Sequence, residues 1–192
     1  MKFSSKDLIN VGIFTVLYVV VIVVVGQLSA ILPITQVIAP LYLPVFAGIP
    51  FMLFLTRVTH FGMVTLMGLI VGLIILATGQ SYWVLLIAAT LGVLGDVVMN
   101  LGHYQRWPNL VLGYVLFSLM MVGTVVPLYF MRDAFIAKIS ARHDAAWVQQ
   151  LVDWTPPWMF VLVILMIAVG AVGGAFLGRA MLRKHFERAG IA

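Results

Sequence analysis

The stretch LINVGIFTVLYVVVIVVVGQLSAI, residues 8–31, is a continuous apolar run without a charged side chain. A bilayer span takes about 20 apolar residues, so this run is long enough to cross a membrane. Lys2 and Lys6 precede it, as basic residues precede the apolar part of a signal peptide, but no convincing small-residue cleavage site follows. We therefore predict a retained first transmembrane helix.

Five further stretches have a similar length and apolar character. With the first, the predicted spans are residues 8–31, 35–55, 61–78, 82–101, 110–131 and 158–181. Of the 192 residues, 64% are hydrophobic and 9% are charged, against about 25% charged in a typical soluble domain. Water is therefore not the main solvent of this chain, and the length leaves no room for an extramembrane catalytic domain. We predict one all-α domain, a polytopic membrane protein with a bundle of six transmembrane helices.

The distribution of basic residues predicts the orientation, because short loops rich in Lys and Arg remain in the cytoplasm. Placing both termini inside puts most of the 11 basic residues there. They are Lys2, Lys6, Arg57, Arg106, Arg179, Arg183, Lys184 and Arg188. The net charge of +5 is thus explained by topology, without a nucleic-acid partner. We expect a multi-pass protein of the cytoplasmic (inner) membrane with both termini in the cytoplasm.

The segment 132–157, which this orientation places outside, is too polar to span the membrane. Its apolar and polar residues alternate near helical spacing, which predicts a short amphipathic helix. The apolar set is Phe135, Ile139, Trp147 and Leu151, and the polar set is Lys138, Arg142 and Gln149. Such a helix either rests on the lipid headgroups or forms a lid over an outward-facing pocket.

The second span contains Pro40, Pro44 and Pro50, which remove backbone donors and tend to kink or break a helix. Irregular backbone at membrane depth is tolerated where it lines a cavity. We expect residues 35–44 to be irregular and to line a cavity near the outer face. A simple kinked helix is the alternative.

Asp96 is the only acidic residue inside a predicted span. An ionisable group there is costly, so it should face the bundle interior beside a partner or water. Asn100 lies one turn further on, and Asn10 or Arg106 are candidate partners from the cytoplasmic half. A structural polar contact, a coupling or gating role and a proton relay remain open for this intramembrane polar pair.

Glycines repeat at four-residue spacing on two spans. Gly170, Gly174 and Gly178 form such a stripe on the last helix, and Gly68 and Gly72 form one on the third. Small residues on one face let helix backbones approach closely. The neighbouring helix belongs either to this chain or to a partner.

The predicted outer ends of the spans carry aromatic and polar side chains. The candidate substrate-binding residues are Gln80, Tyr82, Trp83, Tyr129, Arg132, His143, Trp154 and Trp158. Trp and Tyr also gather at membrane interfaces without binding anything. The aromatic side chains offer stacking surfaces, and Arg132 offers a cation, for an anionic, partly aromatic molecule. The alternative is that Arg132 pairs with Asp133. Among the four histidines, only His143 is predicted to lie on the outer side of the membrane, where it is available to ligate an incoming metal or haem iron.

Several motifs of catalysis are missing. The sequence has no G-x-x-x-x-G-K-[ST] loop for ATP, no G-x-S-x-G elbow and no cysteine. It also lacks histidine pairs with metalloenzyme spacing and any cluster of acidic residues inside the spans. We therefore expect no enzyme activity, no resident cofactor and no intrinsic metal site. Energy for transport would have to come from another subunit or from a gradient.

Four motifs in order resemble those of the Trep_Strep family of bacterial integral membrane proteins. They are DLINVGIFT at residues 7–15, GIPFM at 48–52, FGMVT at 61–65 and PLYFMRD at 127–133. That family looks like the substrate-binding S-components of energy-coupling factor (ECF) transporters. The resemblance implies a six-helix subunit that captures a micronutrient from outside and associates with a transmembrane coupling subunit and two cytoplasmic ATPases.

The resemblance also implies a coupling-subunit contact through small residues spaced by four on the first helix. Gly12 fits this pattern, whereas Val16 departs from it. Haem is the leading substrate that the resemblance suggests, and a vitamin is the alternative. The sequence lacks a histidine near Met1, which argues against nickel or cobalt. Two other classes remain, a proton-coupled secondary transporter and an intramembrane enzyme, both relying on Asp96.

Overall fold

The structure, a computed structural model, describes residues 3–188, without the side chains of Ala30 and residues 185–188. Lys2 and the side chain of Arg188 therefore lie outside the described residues. Within this part of the chain every regular element is helical, which confirms the predicted all-α class. The helices are α1 Ser5–Gly26, α2 Pro33–Leu55, α3 Met63–Ala77, α4 Trp83–Leu101, α5 Trp107–Ser118, α6 Val122–Phe130, α7 Arg132–Ile139, α8 Ala145–Trp154 and α9 Met159–Arg188.

The helices form an up-and-down bundle with the composition of a polytopic membrane protein. Within residues 3–188, five segments are long and apolar enough to cross a membrane: α1, α2, α4, α9 and the combined α5 and α6. The sixth, α3, has 15 residues and is therefore about 22 Å long. Since six helices alternate in direction, residues 27–32, 78–82 and 131–158 lie at one end, here called the cavity end. Residues 56–62 and 102–106 lie at the other end with the start of α1 and the end of α9, here called the termini end.

The second helix corrects one expectation from the sequence. It continues unbroken through its three interior prolines, so the prediction of irregular backbone over residues 35–44 is wrong. Proline has no N–H, so the carbonyl four residues earlier loses its helical partner. Pro40 frees the carbonyl of Gln36 in this way, and Pro44 frees that of Pro40. The helix therefore stays intact, while these carbonyls lose the donor four residues further on.

The glycine stripes bring helices of this same chain together. An added Cβ at Gly174 would overlap the carbonyl of Pro44, and one at Gly178 would lie 2.7 Å from the carbonyl oxygen of Gly48. These contacts place α9 directly against the backbone of α2. On α3, an added Cβ at Gly72 would lie 2.9 Å from a side-chain carbon of α4. Both stripes therefore serve packing inside the bundle.

An aromatic cluster fills the centre of the bundle. The Phe51 ring centroid lies 4.6 Å from those of Tyr114 and Phe117, and Tyr18 packs edge-on to Phe117. The Tyr114 hydroxyl donates to the Pro44 carbonyl, 2.6 Å away, and ties α5 to α2. The same core contains Val71, which also lines a cavity. The packed centre of the bundle therefore forms part of the cavity wall.

Candidate ligand-binding site

A cavity of about 550 Å³ opens at the cavity end of the bundle. This volume lies within the range of small-molecule sites, about 300–1,000 Å³. Its walls come from α1, α2, α3, α6 and α7 and from the loop between α3 and α4. The short α3 contributes here, because its C-terminal end and the following Gly79 line the cavity. The prediction that part of residues 35–44 lines a cavity agrees with the position of Gln36, Ala39 and Leu43.

The lining is mostly apolar with a small polar set. The apolar part includes Ile22, Leu43, Ile74, Met121, Val125 and Phe135. The polar and charged part consists of Ser29, Gln36, Thr78, Gln80, Ser81, Thr124, Lys138 and Arg142. A site with apolar walls and a few polar groups suits an organic molecule that has both an apolar body and a polar group.

The helix α7 covers one side of this cavity. Its lining positions share one face at helical spacing: Ala134, Phe135, Lys138, Ile139 and Arg142, just beyond its end. None of the residues of α7 is fully buried. Beyond its junction with α6, α7 is tied to the bundle by a hydrogen bond from the Lys138 ammonium to the Gly79 carbonyl. A weakly packed helix across a cavity opening has the position of a lid.

Lys138 and Arg142 are the charged residues of the lining, and both are positive. Among residues 3–184, the only oppositely charged pair within 4 Å is His60 with Asp7 at the termini end. Neither cavity cation therefore has a carboxylate partner in the described part of the chain. Sequence reasoning assigned both to the polar face of an amphipathic helix. Lys138 and Arg142 follow Ala134 at intervals of four residues. This spacing was the signal in the sequence that they share a face with the cavity-lining residues.

The segment 132–157 folds as two helices, which corrects the prediction of one. Residues 140–144 separate them, and the Asp144 carboxylate accepts a hydrogen bond from the Trp147 amide (2.7 Å) at the start of α8. A side chain that caps the first turn in this way defines where a helix begins. Val148 and Leu151 of α8 are buried, whereas α7 lies over the cavity.

Arg132 holds the far end of α8 in place. Its two terminal guanidinium nitrogens donate to the carbonyls of Val152 and Thr155, each at 2.7 Å. The last carbonyls of a helix have no partner within the helix, and a cation there is favourable. The guanidinium is thus engaged with backbone rather than with Asp133, and it does not line the cavity.

Replacing Arg132 with alanine is expected to lower the free energy of unfolding by about 1.5–3 kcal/mol, the range for hydrogen bonds to a charged group. The Thr155 carbonyl would lose the guanidinium donor, and the Val152 carbonyl would keep only the Thr155 amide (3.3 Å), so the end of α8 should fray. Thermal unfolding of the purified protein in detergent would measure the change. Arg142→Ala is the matched control, with an expected effect within about 0.5 kcal/mol. Equal stability of the two variants would contradict this role of Arg132.

The structure does not bring the other predicted ligand residues together. Gln80 alone of that set lines the cavity. Tyr82 and Trp83 stack on each other at 5.1 Å, Tyr129 packs against Phe160, and His143 stacks on Trp147 at 3.9 Å. Trp154 and Trp158 are exposed. These aromatic side chains lie near the cavity end without forming one surface around the cavity.

Asp96 lies in a different place, near the termini end, and is completely buried. Its Oδ2 accepts hydrogen bonds from the Gly62 amide (2.8 Å) and from the amide and hydroxyl of Thr65 (both 2.9 Å). Its Oδ1 accepts one from the Tyr104 hydroxyl (2.5 Å). These partners replace those suggested by the sequence, and Asn100 is exposed.

This geometry makes Asp96 the cap of α3. The residue before α3, Gly62, has no side chain and adopts a φ of 102°, so it cannot cap the helix itself. The carboxylate of α4 supplies the missing acceptor and places negative charge at a helix N-terminus, where it is favourable. Burial raises the pKa of Tyr104, and the hydrogen bond to Asp96 and the negative charge of that carboxylate raise it further. The Tyr104 hydroxyl therefore remains a hydrogen-bond donor. The arrangement favours the structural interpretation of Asp96.

Gly12 and Val16, the predicted coupling-subunit contact, lie on an open face of α1. An added Cβ at Gly12 would meet nothing within 4 Å, and Val16 is 59% exposed. Ile9 and Ile13 are exposed on the same helix. This apolar face is accessible to lipid or to another membrane helix.

The fold and the cavity together define a polytopic, all-helical integral membrane protein with a ligand-sized cavity at one end. A family model described as "Hypothetical bacterial integral membrane protein (Trep_Strep)" matches residues 5–188. The chain therefore belongs to the Trep_Strep family of bacterial integral membrane proteins. No curated protein and no solved structure matches the chain.

Proposed function

We propose that this protein is the substrate-specific S-component of an ECF-type importer, without an ATPase or other enzyme activity of its own. The observation that carries the proposal is the cavity of about 550 Å³ at the cavity end, covered by α7. A receptor for a scarce nutrient needs a site of this size, and a helix across its opening suits closure over the bound molecule. With both termini in the cytoplasm, this cavity opens outward.

The partners in this proposal are a transmembrane coupling subunit and two cytoplasmic ATPases. The exposed apolar face of α1, which includes Gly12 and Val16, supports a contact with another membrane helix. Val16 is larger than the residue expected from other S-components, so the partner helix would pack at a greater distance there. The substrate remains a micronutrient, with haem as the leading candidate and a vitamin as the alternative.

The cavity chemistry bears on these two candidates. None of the lining residues is a histidine, and His143 stacks on Trp147 instead. A haem bound here would therefore be held by its carboxylates and its apolar ring rather than by histidine ligation. The two cations and apolar walls suit a carboxylate-bearing vitamin equally.

The secondary transporter and the intramembrane enzyme both require Asp96 to exchange protons or attack a substrate. Both of its oxygens already accept hydrogen bonds, and the residue has no exposed surface. It is also absent from the cavity lining. No observation therefore favours these alternatives over the binding subunit.

The test is to isolate the affinity-tagged chain from its native membranes in mild detergent and to identify what accompanies it. The proposal predicts a coupling subunit and two ATPases, together with a small molecule retained without nucleotide. Isolation of the chain alone from membranes in which other membrane complexes remain intact would contradict it.

A further inference from the structure

The cavity places two positive charges beside apolar walls without a counter-charge. Lys138 and Arg142 line it, and no acidic side chain of the described residues does so. A cationic ligand would meet two like charges there, and a neutral ligand would leave both cations without a counter-charge. An anionic group on the ligand is the complement to this lining.

The position of these cations on the fold adds a second constraint. Both project from the α7 side, where Lys138 already donates to the Gly79 carbonyl across the opening. The wall formed by α2 instead contributes uncharged residues, Gln36, Ala39, Pro40 and Leu43. The cavity thus has a cationic side at α7 and an uncharged side at α2, and its apolar lining includes Ile74 and Val125.

We infer that the cavity binds an amphipathic organic anion, whose carboxylate or phosphate lies between Lys138 and Arg142. The apolar body of the ligand contacts the inner walls. This inference rests on the proposed function, for which it names the substrate class. Binding of the anion joins α7 to the ligand through two charge-assisted contacts and so holds this helix across the opening.

Two probes that share one apolar ring, one anionic and one neutral, test the inference. Protoporphyrin IX carries two carboxylates, and its dimethyl ester is the neutral counterpart with the same apolar ring. Equilibrium dialysis against the full chain in phosphatidylcholine nanodiscs, corrected with empty nanodiscs, gives the dissociation constant of each. We expect the diacid to bind about tenfold or more tightly than the ester, with an affinity that falls as salt is added.

The double variant Lys138→Gln/Arg142→Gln is expected to weaken diacid binding about tenfold or more and to leave ester binding unchanged. The control is Lys6→Gln/Arg57→Gln, which removes two exposed cations at the termini end and should bind as the wild type does. Arg142→Gln alone is a further test, because its side chain makes no hydrogen bond within the described residues and its loss should not disturb α7. We expect it to produce a smaller loss in the same direction.

An anionic lipid headgroup has the same chemistry as the ligand, so the dialysis is repeated in nanodiscs containing phosphatidylglycerol. An unchanged diacid affinity supports a soluble anion, whereas complete loss of binding assigns the site to lipid and overturns the inference. Equal binding of diacid and ester, no effect of the double variant, or no binding of the diacid would also overturn it. If the chain still co-isolates with ATPases in those cases, only the ligand class fails and the proposed function stands.

Discussion

Replacing Gly174 with alanine is expected to destabilise the bundle, whereas the same change at the adjacent Gly173 is expected to be neutral or slightly stabilising. An added Cβ at Gly174 would overlap the carbonyl of Pro44 and lie 2.9 Å from that of Val45. Both are backbone atoms, so α2 and α9 would have to separate. At Gly173 the nearest atom is a side-chain carbon of Val45 at 3.7 Å, an ordinary contact.

Overpacking of this kind costs about 1–3 kcal/mol, and the intrinsic helix preference of alanine over glycine offsets at most about 1 kcal/mol. For a chain of this size, each kcal/mol moves the melting temperature by roughly 2–4 °C. Thermal unfolding in detergent, followed by loss of the monodisperse peak, would measure both variants beside the wild type. Equal melting temperatures for Gly174→Ala and Gly173→Ala would show that the two helices are not in contact as described.

Asp96→Ala is expected to lower the free energy of unfolding by about 3–5 kcal/mol. The change leaves the Gly62 and Thr65 amides and two hydroxyls buried or partly buried without an acceptor, at about 1–3 kcal/mol for each unsatisfied group. Asp96→Asn should cost about 1–2 kcal/mol, because an amide oxygen still accepts from the start of α3 but the amide nitrogen cannot accept from Tyr104. Urea or heat titration in detergent would rank the variants.

Asn100→Ala is the matched control for this series, since Asn100 lies one turn along α4 and is exposed. It should change stability by no more than about 0.5 kcal/mol. A proton-coupled transporter predicts a different outcome, with full stability and no uptake in Asp96→Asn. That result would contradict the role of Asp96 as a helix cap.

The features that the sequence predicted well are those with a periodic signal. Six apolar runs predicted the bundle, and the spacing of Gly170, Gly174 and Gly178 predicted close helix packing, which the structure assigns to α2 of the same chain. The prolines indicated a cavity wall but not a continuous helix. The three interior prolines of α2 lack an N–H donor, and the 23-residue helix tolerates this loss. A hydrogen bond from the Tyr114 hydroxyl of α5 supports the helix at Pro44.

The features that the sequence did not reveal depend on contacts between distant segments. Asp96 caps a helix that begins more than 30 residues earlier, and no local pattern shows such a partner. The aromatic residues near the cavity end pair with one another, as Tyr82 does with Trp83, so residue type did not identify the cavity lining. The sequence pattern places Lys138 and Arg142 on the polar face of an amphipathic helix, because the pattern of one helix does not show which other helices lie beside it.

Import requires the cavity to open to the exterior, and single-cysteine labelling tests this requirement directly because the chain has no cysteine of its own. Ser140→Cys places a thiol between α7 and α8, and Thr56→Cys places one at the termini end, both at exposed positions. With a membrane-impermeant maleimide on intact cells, we expect labelling of Ser140→Cys at once and of Thr56→Cys only after permeabilisation. The reverse pattern would place the cavity in the cytoplasm and contradict a receptor for external substrate.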